Sequence, residues 1–332
     1  MKLNKTFKAF ETYQNQNGDF ENKITQKSFS DLPEGDLLIK VEYSSLNYKD
    51  ALSSSGAKGV TKFYPHTPGI DAAGIVIKSN NNHFKTNDRV IVTGFDLGMN
   101  TSGGFAEYIQ IPSSWAVKCP DSLSTKDSMM LGTAGLTAGL CIEEIYNHTP
   151  INNLEVIVSG STGGVGSIAV MILNKMGYNV TAVTGKDSKA DYLKSLGAKS
   201  VINRSEFDKD PKLIDKGLWD GVVDTVGGKI LANAIVQTNS NGIIAVCGNA
   251  NTNELNTNVI PFMLRGIKLW GMDSANCSIK RREFIWGEAA KLIDFDLIEK
   301  SIQIVSLEEL IETYPKILKG EISGRVLVDL NK

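Results

Sequence analysis

Through the first 125 or so residues, apolar and polar positions alternate in short runs broken by Gly, Pro and Asn, at 37–43, 74–77, 89–93 and 105–111. A period of two is what a half-buried strand requires, so this part predicts a mostly antiparallel β domain. Past residue 150 the pattern changes. An apolar run at 155–159 enters a glycine-rich turn and then a helical run at 165–176. Strand-type runs follow at 179–184, 200–202, 221–224, 242–246 and 268–270, with helical runs at 188–196 and 229–238. Strands alternating with helices predict a doubly wound parallel sheet. The last strand-type run, 324–330, is short and returns the chain to the β domain. The expected division is therefore 1–122 with 295–332 for one domain and 123–294 for the other.

A length of 332 residues agrees with two domains. At 42% hydrophobic and 22% charged, the chain has the composition of a globular protein. Its 35 basic and 37 acidic residues leave a net charge of −2, which gives no general attraction for nucleic acid or an anionic membrane. Cys119, Cys141, Cys247 and Cys277 are widely spaced with no C-x-x-C, which argues against a disulfide framework or a cysteine-rich zinc lobe. The start, MKLNKTFKAF, has basic residues without an apolar stretch behind them, and no run approaches a bilayer span. The expectation is a cytoplasmic chain with no membrane and no nucleic-acid partner.

The turn Gly160-Ser161-Thr162-Gly163-Gly164-Val165-Gly166 lies between a strand and a helix. In that context glycines admit a pyrophosphate to the backbone, and the helix start offers free N–H groups. In the G-x-G-x-x-G frame ending at Gly166, Ser161 takes the first glycine's place, so a plain tight turn is the competing reading. The same glycines suit the short-chain dehydrogenases, which also need Tyr-x-x-x-Lys. None of the nine tyrosines has Lys four residues on, and that rival fails. Where NAD-binding folds place an acid on the ribose, the second strand ends in Val183-Thr184-Gly185-Lys186. Thr184 and Lys186 can donate to a 2′-phosphate, and Arg204, after the third strand, can complete a cationic pocket. Asp187 is the one nearby acid, and Ser188-Lys189-Ala190-Asp191 reads as a capping box that places it just ahead of a helix. NADPH is the expected cofactor, with an ordinary solvated Lys186 as the competing reading.

A β domain followed by a dinucleotide fold resembles the medium-chain dehydrogenase/reductases. Segments 44–52 (SSLNYKDAL), 68–74 (PGIDAAG), 103–107 (GGFAE) and 132–138 (GTAGLTA) resemble the zinc-free, quinone-oxidoreductase-like branch. Within it the chain is most similar to the acryloyl-CoA reductases, from about Leu32 to Leu330, including 192–198 (YLKSLGA) and Gly324-Arg325. The resemblance implies a discontinuous GroES-like β-barrel domain plus a Rossmann doubly wound parallel sheet, and a homodimer joined near residues 260–273. It also aligns Asn47-Tyr48-Lys49-Asp50, Gly69-Ile70-Asp71 and Gly132-Thr133-Ala134 with segments that carry zinc ligands in the metal-dependent branch. Cys and His are absent from all three, and His66, His83 and His148 show no ligand spacing and read as surface or loop residues. No metal is expected.

Without a metal to polarise an alcohol, the substrates implied are already electron-poor. A short enoyl thioester such as acryloyl-CoA leads, a quinone follows, and a non-catalytic NADPH-sensing or RNA-interacting protein is the third class. NADPH carries the hydride chemistry, so the protein needs few catalytic groups. Tyr48 is the catalytic candidate, as proton donor or as an aromatic wall beside the cofactor; Asn47 and Lys49 rank below it, and Asp50 reads as ordering the loop. The expected cofactor-binding set is Asn47, Tyr48, Thr162, Gly163, Gly164, Val165, Thr184, Gly185, Lys186, Arg204, Asn249 and Arg325. For Arg325 a surface salt bridge competes. Lys58, Lys62, Arg281 and Arg282 are open candidates for a CoA phosphate.

Overall fold

The computed structural model describes residues 6–149 and 153–332. The first five residues of the amino-terminal segment considered above lie outside them. The chain divides into two compact units. One takes the chain up to Thr133, then Ala275–Ala290 and Asp294–Lys332; the other takes Ala134–Ser274 and Lys291–Ile293. Segments 123–133 and 275–290, assigned above to the dinucleotide domain, thus belong with the β domain. The reason is local packing. Phe95 N donates to Ala275 O at 2.8 Å, and a Cβ on Gly94 would stand 2.9 Å from Ala275 Cα.

In the first unit a seven-stranded sheet runs Ile302–Val305, Arg325–Asp329, Leu37–Leu46, Asp71–Ser79, Arg89–Thr93, Ala116–Lys118, with Tyr108–Ile111 also on Leu37–Leu46. The long strand Leu37–Leu46 pairs along one side with Asp71–Ser79. Its other side takes Tyr108–Ile111 first and Arg325–Asp329 further on, which curves the sheet as a GroES-like barrel requires. Alternation supplies the core: Leu37, Ile39, Val41, Val90, Val92, Ile109 and Ile111 are buried together. Each such side chain contributes about 1.5–3 kcal/mol relative to exposure. A separate hairpin, Thr6–Gln14 with Phe20–Ser28, escaped the sequence pattern because its second strand, FENKITQKS, is polar and has no buried residue.

In the second unit six strands lie in the order Ser200–Asn203, Asn179–Thr184, Glu155–Val158, Trp219–Asp224, Thr238–Val246, Lys268–Gly271. Every pairing is parallel. In chain order this is 3-2-1-4-5-6, the Rossmann arrangement. The inner strands are buried along most of their length because helices such as Gly164–Lys175 and Gly228–Val236 cover them. The sequence order reverses between Glu155–Val158 and Trp219–Asp224, and ligands of such sheets bind outside the strand ends at that point. The helix expected at 188–196 starts later, at Ala190, after a 3-10 turn at Asp187–Lys189. Its N-cap is Lys189, which makes no side-chain cap bond, so the capping box from Ser188 is not formed.

Candidate functional site

The strand Glu155–Val158 leads into a turn that only small residues allow. Gly160 has φ +58°, and a Cβ there would stand 2.2 Å from Thr225 Oγ1. A Cβ on Gly166 would stand 2.5 Å from the Gly160 carbonyl oxygen. The helix Gly164–Lys175 therefore begins hard against the strand, with Gly163 as an N-cap lacking any side-chain cap bond. The Gly163 N–H donates to Gly160 O at 2.9 Å, and the N–H groups of Gly164 and Val165 lie in the first turn of the helix, where anions are favoured. Thr162 is buried beside it, its hydroxyl 3.3 Å from that of Thr184.

Arg204 crosses directly over Gly185, where a Cβ would meet its Nε at 2.5 Å. Both line a cavity of about 770 Å³ together with Ser205, Lys229, Asn251 and Thr252. Lys229 also pairs with Asp210 at 3.1 Å. Asp187 is taken by Asn203, whose Nδ2 donates to it at 2.6 Å. Thr184 Oγ1 accepts from the Lys186 backbone at 3.1 Å, and partial burial, then Lys189, lower the Lys186 ammonium below the usual lysine range. Asn249, exposed in the loop after Thr238–Val246, donates to Asn253. Arg204 and Lys229 share the cavity lining with Asp208, Asp210 and Glu254.

The first unit holds a second, closed cluster. Asp71 Oδ2 accepts from Ser45 Oγ at 2.5 Å, Asn47 Nδ2 at 2.8 Å and Thr133 N at 2.9 Å, and Oδ1 accepts from Thr133 Oγ1 at 2.6 Å. Arg325 lies 3.8 Å from Asp71 and donates to Ser45 Oγ at 2.7 Å and Asn47 Oδ1 at 3.1 Å. Arg325 is only 4% exposed, so the surface salt bridge envisaged from sequence is instead a buried ion pair. Burial lowers its pKa while Asp71 opposes that. Asp50 accepts from the backbone N–H groups of Asn47 and Ile70, each at 2.8 Å, and so fixes the loop. Burial, reinforced by the Asp71 charge, raises its carboxyl to about 7.

Gly132 makes this convergence possible. It interrupts the helix Thr125–His148 at φ 53°, ψ −153°, and a Cβ there would fall 2.4 Å from both Asp71 Oδ2 and Ser45 Oγ. Tyr48 opens the helix Tyr48–Ser54 and remains 42% exposed, with Lys49 exposed next to it. Arg282 is withdrawn as a phosphate candidate. It is buried, donates to the carbonyls of Thr93, Cys277 and Ala275, and lies 4.3 Å over the Phe95 ring. His66 is also not a surface residue: it is buried, with Nε2 2.9 Å from Gly98 O. Among the described residues no group of three His, Cys, Asp or Glu side chains is placed to hold a metal.

Sequence reasoning missed Asp71, Ser45 and Thr133 as partners, and Lys229 as a cavity residue. The first three lay within quoted segments, where absent ligands were noted and the polar groups replacing them were not. Lys229 carried no signal, since a lysine in the first turn of a helix is ordinary.

A parallel dinucleotide sheet joined to a GroES-like unit defines a medium-chain dehydrogenase/reductase. The comparisons agree. The GroES-like domain of alcohol dehydrogenases matches residues 33–121, and the zinc-binding dehydrogenase family matches 164–293. The putative quinone oxidoreductase YhfP of Bacillus subtilis is 42% identical over 91% of this chain and 93% of its own; its structure with NAD bound has a TM-score of 0.94, covering 98% and 100% of the chains. The acrylyl-CoA reductase AcuI of Ruegeria pomeroyi is 39% identical over 95% of this chain and 96% of its own. The YhdH structure of Escherichia coli K-12 with bound NADPH has a TM-score of 0.94 at 38% identity, covering 97% of this chain and all of that one. The chain belongs to the medium-chain dehydrogenase/reductase superfamily, in the group of YhfP and AcuI.

Proposed function

We propose that this chain is an NADPH-dependent reductase of activated alkenes, with acryloyl-CoA or a similar short enoyl thioester as substrate. The observation that carries the reading is the Asp71–Arg325 cluster. It fills the segments aligned with zinc ligands in the metal-dependent branch, and its groups are occupied with one another. That favours a substrate that needs no metal to be reactive. NADPH, when bound, supplies the hydride. The glycine turn and helix start at Gly163, Gly164 and Val165 hold the pyrophosphate, and Arg204 with Lys229 favours the phosphate on the ribose. Tyr48 Oη gives its proton to the substrate α-carbon.

The reading extends to a cytoplasmic homodimer. Among the described residues Lys268–Gly271 is an edge strand paired only with Thr238–Val246. It exposes Leu269 and Trp270, near exposed Met263 and Leu264. Such an edge suits an isologous partner. Light scattering at micromolar concentration should give twice the 36.1 kDa chain mass, and a clean monomer would count against it.

The decisive assay follows NADPH oxidation with acryloyl-CoA beside 1,4-benzoquinone. The thioester should have the higher kcat/KM; the reverse order would favour quinone reduction, the activity in the YhfP name. General acid catalysis contributes about 10²–10⁴-fold, so Tyr48→Phe should lower kcat on acryloyl-CoA by that order. Quinone reduction should suffer less, because water can protonate quinone oxygens. Near-normal kcat with weakened NADPH binding would make Tyr48 a wall rather than a proton donor.

A further inference from the structure

The two cations that line the cavity beside Gly185 stand in different circumstances. Among the described residues Arg204 makes no ion pair, whereas Lys229 Nζ lies 3.1 Å from Asp210 Oδ1. Asp210 lines the same cavity. A buried amide enforces this pairing. Asn233, one turn further along the helix Gly228–Val236 and only 2% exposed, directs its Nδ2 at three carbonyl oxygens. They belong to Lys229 at 2.9 Å, Lys209 at 2.8 Å and Phe207 at 3.1 Å. One side chain thus holds the backbone of the lysine and that of the residue just before Asp210. The 3-10 turn Arg204–Phe207 leads straight into this segment, and it is itself capped by Asn203 Oδ1, which accepts from Ser205 N at 2.9 Å. The place of Asp210 beside Lys229 is therefore set by the fold and is not a chance meeting of two surface side chains.

We propose that Asp210 is a specificity-determining residue: it competes with the cofactor's 2′-phosphate for the Lys229 ammonium and so holds down the preference for NADPH over NADH. This rests on the NADPH reading above. A carboxylate and a phosphate ask the same thing of an ammonium, a short charge-assisted contact, and Lys229 is a compact point charge. The Asp210 contact must be given up before the phosphate is gripped. NADH has no 2′-phosphate, asks nothing of Lys229 and meets no competition.

The size of the effect follows from exposure. The Asp210 side chain is 92% exposed and that of Lys229 is half-exposed, so their pair is weak and readily released. The apparent Kd for NADPH is the intrinsic value divided by the fraction of molecules in which Lys229 is released, which amounts to about two- to sixfold. Asp208 and Glu254 also line the cavity, and among the described residues neither pairs with a cation. They act through the general field, which does not depend on Lys229.

The test is a double-mutant cycle on the full chain, read as the Kd for NADPH and for NADH by titration calorimetry. Asp210→Asn should lower the NADPH Kd about two- to sixfold and leave the NADH Kd unchanged. In a Lys229→Ala background the same change should do nothing, because the contested ammonium is gone. Asp208→Asn should have a smaller effect, equal with and without Lys229. An unchanged NADPH Kd in Asp210→Asn, an equal gain for NADH, or a gain that persists without Lys229 would overturn the competition. Arg204→Ala separates the two readings. If it leaves NADPH and NADH binding alike, the phosphate reading itself fails; if it weakens NADPH alone while Asp210→Asn changes nothing, only the competition fails.

Discussion

In the first unit the Asp71 carboxylate receives Ser45, Asn47, Thr133 and the Arg325 guanidinium, all within the fold, while in the second unit Arg204 stretches across Gly185 at the edge of a cavity of about 770 Å³. Both regions concentrate polar groups. They differ in what satisfies them. Buried charge is costly unless it is paired and hydrogen-bonded, so the first cluster must be complete before any ligand arrives. The second leaves Arg204 exposed and begins its helix at Gly163 without a side-chain cap, an arrangement that favours an anion. A polar cluster at a site can thus be scaffold or receptor, and burial tells which.

The sharpest break of that contrast is Arg325→Met. Removing one member of a buried pair leaves the other charge uncompensated and typically costs about 3–5 kcal/mol. Urea denaturation should show that loss, and Asp71→Asn combined with Arg325→Met should recover part of it. A single variant within about 1 kcal/mol of the wild type, inside the usual range for exposed pairs, would show that the cluster is not behaving as a buried one.

The two regions were unequally legible in the sequence. The parallel sheet could be read strand by strand, because strands covered on both faces carry apolar residues at most positions, as Val156, Ile157 and Val158 in one and Val180, Ala182 and Val183 in the next show. The glycine turn was legible for the same kind of reason: steric exclusion leaves a mark at Gly160 and Gly166. The Asp71 cluster left no such mark. It depends on residues far apart in sequence, from Ser45 to Arg325, meeting through strand pairing and through one broken helix at Gly132. Neither a period of two nor a period of 3.6 encodes that, and Gly132 looks like any small residue in a helical run. The polar hairpin strand Phe20–Ser28 was hidden for the opposite reason, since a strand that buries nothing shows no alternation.

A pH series sharpens the contrast next. Asp50 sits in the closed region, beside the Asp71–Arg325 pair, with its carboxyl raised from 3.8 to about 7 by burial and by Asp71. A group whose folded pKa lies above its unfolded value binds its proton more tightly in the native state. Its stabilising contribution is therefore complete below about pH 4 and is lost as the pH rises to 7. Compared with Asp50→Asn in urea, the wild type should lose relative stability across that window and level off above it. A flat difference curve from pH 4 to 7 would mean that Asp50 is ionised throughout, with Arg325 compensating more of its charge than the burial suggests.

The open region gives the smallest effect and the most specific one. Charge-assisted hydrogen bonds contribute about 1.5–3 kcal/mol, and Arg204, being exposed, belongs toward the lower end of that range. Arg204→Ala should therefore raise the NADPH Kd roughly tenfold, since about 1.4 kcal/mol is a factor of ten. NADH affinity should scarcely change, because NADH has no 2′-phosphate for the guanidinium to meet. Lys186→Ala should act in the same direction and more weakly, as burial already disfavours its charged form. The selectivity should also shrink with added salt, which screens exposed charges and leaves the glycine cradle untouched. Equal losses for NADPH and NADH in the Arg204 variant would mean that this arginine supports the loop over Gly185 and does not read the phosphate.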